Sequence, residues 1–140
     1  MLRRQLSGLP PDPPLPQGAV DCQMHAYAPD FPAAPGAIPL PPGDLPTPAQ
    51  YRKVMAWLGL SRVVVTQGNA HGRDNANLLA CLQDFGDIAR GVAVIDAETS
   101  DAEMADLTAR RVVGARIMDL PGGAVGLDAL EAVEARAHAA

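Results

Sequence analysis

Apolar positions along the chain alternate between two spacings. Ala19-Val20-Asp21-Cys22-Gln23-Met24-His25 is short and largely apolar and is expected to form a strand over 19–24. Arg62-Val63-Val64-Val65-Thr66-Gln67 is β-branched and continuous, the pattern of a strand covered on both faces, expected over 62–67. Gly91-Val92-Ala93-Val94-Ile95 and Gly114-Ala115-Arg116-Ile117-Met118 supply two more, over 91–95 and 114–118. Between them the spacing turns helical. Tyr51, Val54, Met55 and Leu58 follow the capping box Thr47-Pro48-Ala49-Gln50 and stop at Gly59. Leu78, Leu79, Leu82 and Phe85 share one face of a helix from about Asp74, the expected N-cap, to Gly86. Met104 and Leu107 follow a second capping box, Ser100-Asp101-Ala102-Glu103, and a last helix is expected from Leu127 onward.

The order βαβαβαβα, with strands too apolar for an open antiparallel sheet, means an α/β fold of parallel units. Two architectures satisfy it: a doubly wound open sheet, or four units of a TIM-type (β/α)8 barrel, which takes ~250 residues in full. The barrel requires strand order 1-2-3-4 with helices on the outer face. The last helix reaches Ala140 without a capping residue, and the chain is expected to be the N-terminal half of a longer barrel.

Composition refines this picture. All but Pro121 of the 14 prolines lie within the first 48 residues. Residues 1–17 are therefore expected to form a Pro-rich arm ahead of a partial barrel over 18–140, because proline favours extended chain and lacks a ladder donor. Its Pro10–Pro13 and Pro11–Pro14 spacings match an SH3-type ligand, but no basic anchor adjoins them closely. The stretch from Ala26 to Pro46 exceeds ordinary connection lengths, which marks it as functional or frayed. A net charge of −5 leaves no basic footprint for nucleic acid or anionic membranes. No apolar run approaches the ~18 residues of a membrane span. Prolines stand where a secretory signal would need an apolar stretch, and two cysteines are too few for a disulfide framework, so the chain is expected in the cytoplasm with Cys22 and Cys81 as reduced core residues.

The segment Val20-Asp21-Cys22-Gln23-Met24-His25 resembles the first-strand signature of the amidohydrolase superfamily, whose members are (β/α)8 barrels. There, two histidines at i and i+2 on one strand face bind a catalytic metal; here the first position is Gln23, a poor zinc ligand. Phe31-Pro32-Ala33-Ala34-Pro35-Gly36-Ala37, Gln67-Gly68-Asn69-Ala70-His71-Gly72-Arg73-Asp74-Asn75 and Ala115-Arg116-Ile117-Met118-Asp119-Leu120-Pro121-Gly122-Gly123 are similar to the metal-independent lactone enzymes of one branch, the amidohydrolase 2 branch. That branch often carries Tyr where His71 stands.

The resemblance implies isomerisation of a galactaric acid δ-lactone to its γ-lactone, in oxidative breakdown of galacturonate, with no metal and no cofactor. Its alternatives are hydrolysis of a pyrone-dicarboxylate type lactone, or an inactive fragment or half-barrel that must dimerise. Isomerisation needs a proton acceptor, donors for the oxyanion and a cation for the free carboxylate. His25 is the candidate base or acid, with Asp119 a second candidate at a strand end. Gln23, Gln67, Asn69 and His71 are candidate substrate donors, and Arg116 offers a fork suited to carboxylate. Bland roles compete at several positions. Gln67 and Asn69 could satisfy loop backbone, His71 could be a solvated loop residue, and Asp119 could simply pair with Arg116. The expected partner is a sugar-acid lactone. Four parallel strands also leave two unpaired edges and an apolar inner face, which favour association into a homo-oligomer.

Overall fold

The computed structural model describes residues 8–139. Four parallel strands, β1 (Val20–Met24), β2 (Arg62–Thr66), β3 (Ala89–Ala93) and β4 (Val112–Ala115), form one sheet in the order β1-β2-β3-β4. Helices α1 (Pro48–Leu58), α2 (Ala76–Phe85), α3 (Asp101–Ala109) and α4 (Leu130–His138) alternate with them, as the hydrophobic pattern requires. This is the expected succession of four β/α units. Of the expected arm, residues 1–7 lie outside the described residues; residues 8–17 carry no helix or strand and are mostly exposed.

Helix ends follow local chemistry. Thr47 and Ser100 each close a full capping box, with Gln50 and Glu103 reaching back to the cap backbone, and the Ser100 hydrogen bonds hold the Glu103 carboxyl below its usual range. Gly59 ends α1 at φ +80°, a left-handed conformation that suits glycine. Asp74, expected as the N-cap of α2, sits one residue earlier. Asn75 is the cap position, and Asp74 accepts instead from Ala76 N–H at 2.9 Å. The Asn75 side chain does not cap the helix, because its amide is committed elsewhere, donating to Val94 O at 2.8 Å and accepting from Val94 N at 3.0 Å. Before α4, Leu127–Ala129 is a 3-10 turn rather than helix.

Strands β3 and β4 begin two residues earlier than expected and end earlier. Strand limits are set by backbone pairing with neighbours, and Ala89 already stands opposite Val63 and Val112 opposite Gly91. The same registers divide the sheet faces. Asp21, Val63, Val65, Ala89, Gly91, Val112 and Ala115 lie on the helix side. A Cβ at Gly91 would sit 2.7 Å from Leu82 Cδ1, so glycine there lets α2 close on β3. Asp21 accepts a hydrogen bond from the Tyr51 hydroxyl of α1; burial, and then that carboxylate, push the Tyr51 pKa up. The core comprises Val63, Val65, Leu78, Cys81, Leu82, Phe85 and Ala89 with their neighbours. Cys81 is fully buried, and burial pushes its thiol up to about 12. Cys22, expected in the core, is exposed, because it alternates with Asp21, which faces α1, and so lies on the opposite face of the sheet.

Asn77 fastens the fold across its first unit. Its side chain is 2% exposed, donates to Ala26 O at 3.0 Å and takes Ala28 N–H at 2.8 Å, tying the chain just past β1 to α2. Asn77→Ala strands both backbone groups, each costing about 1–3 kcal/mol when buried and unpaired. The expected result is a loss of about 2–5 kcal/mol in urea unfolding of the chain; a midpoint within error of wild type would refute the clamp.

Candidate active site

Side chains that could do chemistry gather beyond the C-terminal ends of the strands, where barrel enzymes carry their reactive groups. His25 follows β1 directly. Its Nδ1 lies 2.9 Å from Thr66 O. A carbonyl only accepts, so Nδ1 donates there, and in the neutral ring this pairing leaves Nε2 as the basic nitrogen.

Arg116 follows β4 and reaches across the end of β3 to the carbonyl of Gln67, beyond β2, to which it donates through Nη1. Its Nη2 approaches Met118 Sδ at 3.4 Å. Among the described residues, no Asp or Glu oxygen lies within ion-pair distance of it. Partial burial lowers its pKa, opposed by the field of Tyr27. The pairing of Asp119 with Arg116 does not form. Asp119 is exposed and accepts from Leu127 N at 3.4 Å, closing the loop before α4.

The remaining candidates divide. Asn69 stays at the rim and donates to Met118 Sδ, a weak acceptor that leaves its amide exchangeable for a ligand. Gln23 is exposed on β1, its backbone N–H taken by Asp21 Oδ1 at 3.0 Å. Gln67 turns away: it shares the parity of Val63 and Val65, is 1% exposed, and donates to Asp74 O at 2.6 Å. Its Oε1 finds no partner. His71 is no solvated loop residue. It is 3% exposed in a 3-10 turn over Asn69–His71, with Nε2 3.2 Å from Phe31 O and Nδ1 buried without a partner. Together with Ala34 N–H on Ala70 O at 2.7 Å, it fastens the long Ala26–Pro46 connection to the turn after β2. That connection is held, not frayed.

Sequence reasoning missed Tyr27, which is 7% exposed, with its ring centroid 5.6 Å from that of His71. The signal was present: Tyr27 stands two residues beyond His25, the spacing that places Gln23 and His25 together on one face of extended chain.

One imidazole, His25, stands beside Gln23, and among the described residues no group of three or more His, Cys, Asp or Glu side chains comes together. A permanent cation, Arg116, occupies the same rim.

The profile of a family described as Amidohydrolase matches residues 20–138. The chain is 59% identical over 139 residues to D-galactarolactone isomerase of Agrobacterium fabrum, covering 99% of this chain and 48% of that protein. It is 38% identical over 104 residues to 2-pyrone-4,6-dicarbaxylate hydrolase of Comamonas testosteroni, covering 73% of this chain and 33% of that protein. A crystal structure from Agrobacterium tumefaciens in the apo state superposes with a TM-score of 0.93 at 59% identity, over 97% of this chain and 48% of that one. One from Acinetobacter baumannii, at 19% identity and a TM-score of 0.65, over 86% of this chain and 47% of that one, shares the fold. The chain thus spans half or less of the length of the curated relatives it matches. Four parallel β/α units in this order, matching about half of such chains, are half of a (β/α)8 barrel, and the chain belongs to the amidohydrolase family.

Proposed function

We propose that residues 18–140 form the N-terminal half of a metal-independent lactone isomerase, preceded by a Pro-rich arm. The reaction is conversion of a galactaric acid δ-lactone to its γ-lactone, a step in oxidative galacturonate breakdown. The observation that carries this reading is the 59% identity to D-galactarolactone isomerase, running through 99% of the chain. The geometry supplies the chemistry. In the isomerisation a substrate hydroxyl attacks the lactone carbonyl of the same molecule and the ring oxygen leaves. His25 Nε2 takes the proton of the attacking hydroxyl and returns it to the departing oxygen. Asn69 offers an amide hydrogen to the oxyanion, and Arg116 binds the free carboxylate. No external water enters the balance, so no ion is needed to generate hydroxide.

The missing half of the barrel is part of this reading. Cys22, Gln23, Arg90 and Val113 are exposed on or beside the inner sheet face, and β1 and β4 are its edges. A second copy would bring two Arg90 side chains into one interior, whereas a distinct half can present an acid there; we therefore favour a distinct half over a homodimer. Two free thiols suit a reducing, cytoplasmic setting, and no described helix is long and apolar enough to cross a membrane.

The test uses a chimera in which this chain replaces the matching half of the Agrobacterium fabrum enzyme, with the chain alone in parallel. Galactaro-δ-lactone is followed by NMR and pH-stat, with and without a chelator. The expected result for the chimera is γ-lactone without proton release, unaffected by the chelator. Proton release matching substrate loss would favour a hydrolase of the pyrone-dicarboxylate type, supported by the 38% identity to that relative. Activity abolished by chelation and restored by zinc would overturn the metal-free mechanism.

A further inference from the structure

Gly68 is not a glycine of conformational necessity. Its φ of −76° and ψ of 143° are open to any residue. What excludes a side chain is Tyr27: a Cβ at position 68 would stand 2.8 Å from the Tyr27 hydroxyl and 3.1 Å from Cε1 and Cζ. The tip of the phenol therefore rests on the Cα of Gly68. The Gln67 carbonyl, which holds Arg116, belongs to the same peptide unit as that Cα. The 67–68 bond is trans. In a trans peptide the oxygen of one residue and the Cα of the next lie on the same side of the C–N bond. The Tyr27 hydroxyl and the Arg116 guanidinium thus both approach this one peptide unit, close enough that Tyr27 acts on the charge of Arg116.

Both groups are held from behind. Tyr27 packs against the buried His71 ring, and its backbone N–H is fixed on Pro46 O at 3.1 Å. Arg116 donates to the Gln67 carbonyl and approaches the Met118 thioether, neither of which neutralises its charge, and it feels the field of Tyr27. We infer that Tyr27 and Arg116 together form a carboxylate cradle, in which the Tyr27 hydroxyl donates to one oxygen of a substrate carboxylate whose charge Arg116 balances. This role for Tyr27 deepens the lactone-isomerase reading and rests on it for the identity of the diacid. The bare chemistry, a two-donor site for a small carboxylate, does not need that reading.

The chain has two tyrosines. Tyr51 is tied to Asp21 under α1, away from this rim, and serves as an internal reference. The experiment is a titration of the 140-residue chain, labelled with 13C at tyrosine Cζ, with galactarate, glutarate and the uncharged galactitol. Galactarate and glutarate are expected to shift the Tyr27 signal to saturation and leave Tyr51 in place; galactitol should shift neither. Tyr27→Phe keeps the ring against His71 and should weaken diacid binding about tenfold or more, as for a lost hydrogen bond to a charged group. Gly68→Ala retains both donors but displaces the hydroxyl, and should weaken binding similarly. If Gly68→Ala shifts the Tyr51 reference signal and so disturbs the fold, Tyr27→Phe decides. Saturation without movement of Tyr27, wild-type affinity in Tyr27→Phe, an equal response to galactitol, or no binding of either diacid would each overturn the cradle. Tyr27-dependent glutarate binding beside a chimera that leaves the lactone untouched would sink the isomerase reading and keep the cradle. Lactone isomerisation indifferent to Tyr27→Phe would do the reverse.

Discussion

Arg116→Met is expected to lower kcat/KM of the chimera for the lactone by about 2–5 kcal/mol, roughly 30-fold to several thousandfold, the range for truncating one partner of a desolvated charge pair. Stability should move far less. The guanidinium has five donors and cannot shed its charge. Here it is partly buried against the Gln67 carbonyl and Met118 Sδ, with no protein carboxylate in ion-pair range among the described residues. Removing it costs one hydrogen bond to a carbonyl, about 1 kcal/mol, and relieves the desolvation of an unpaired cation. Methionine fills much of the same volume. Thermal melts of the chain and kinetics of the chimera separate the outcomes. A melting temperature lowered by many degrees with near-normal kinetics would assign Arg116 to structure and remove the substrate anchor from the proposed mechanism.

What the sequence made legible was what depends on near neighbours in the chain. The capping boxes at Thr47 and Ser100 lie within four residues each, and both form. The Val63–Val65 run announces a strand whatever packs on it, and the β/α alternation then restricts the sheet to parallel pairings. The strand ends were less legible, because Ala89 and Val112 enter the sheet through partners on other strands. Cys22 shows a related limit. Its apolar neighbours indicate burial, but the register puts it on the inner face, which a further half-barrel would have to cover.

The site was legible in its positions and less so in its orientations. His25 and Arg116 stand where strand ends were expected. Gln67 looked like an equal candidate but turns to Asp74 O, and no local pattern announces that choice. Asn75 and Asn77 give their amides to backbone groups 19 and about 50 residues away, so each reads as an ordinary helix-start residue until the fold is known. Tyr27 resting on Gly68 is of the same kind: the glycine is explained by a ring 41 residues earlier, not by its own backbone.

His25→Gln carries the other large effect expected. Glutamine can still donate an amide hydrogen to Thr66 O, which His25 Nδ1 holds at 2.9 Å, so the end of β1 should keep its anchor and the chain its melting temperature within a few degrees. What it lacks is a basic nitrogen. An amide can neither take the proton of the attacking hydroxyl nor return it to the ring oxygen. The expected loss in kcat is therefore about 10²–10⁴-fold, the usual worth of a positioned general acid–base group, with KM changed little because the Arg116 anchor is intact. His25→Ala separates position from chemistry, since it also frees Thr66 O and should lose stability as well as turnover. If His25→Gln retained more than a tenth of wild-type kcat, the proton would have to move through another group, and His25 would be a strand-end residue held for its hydrogen bond alone.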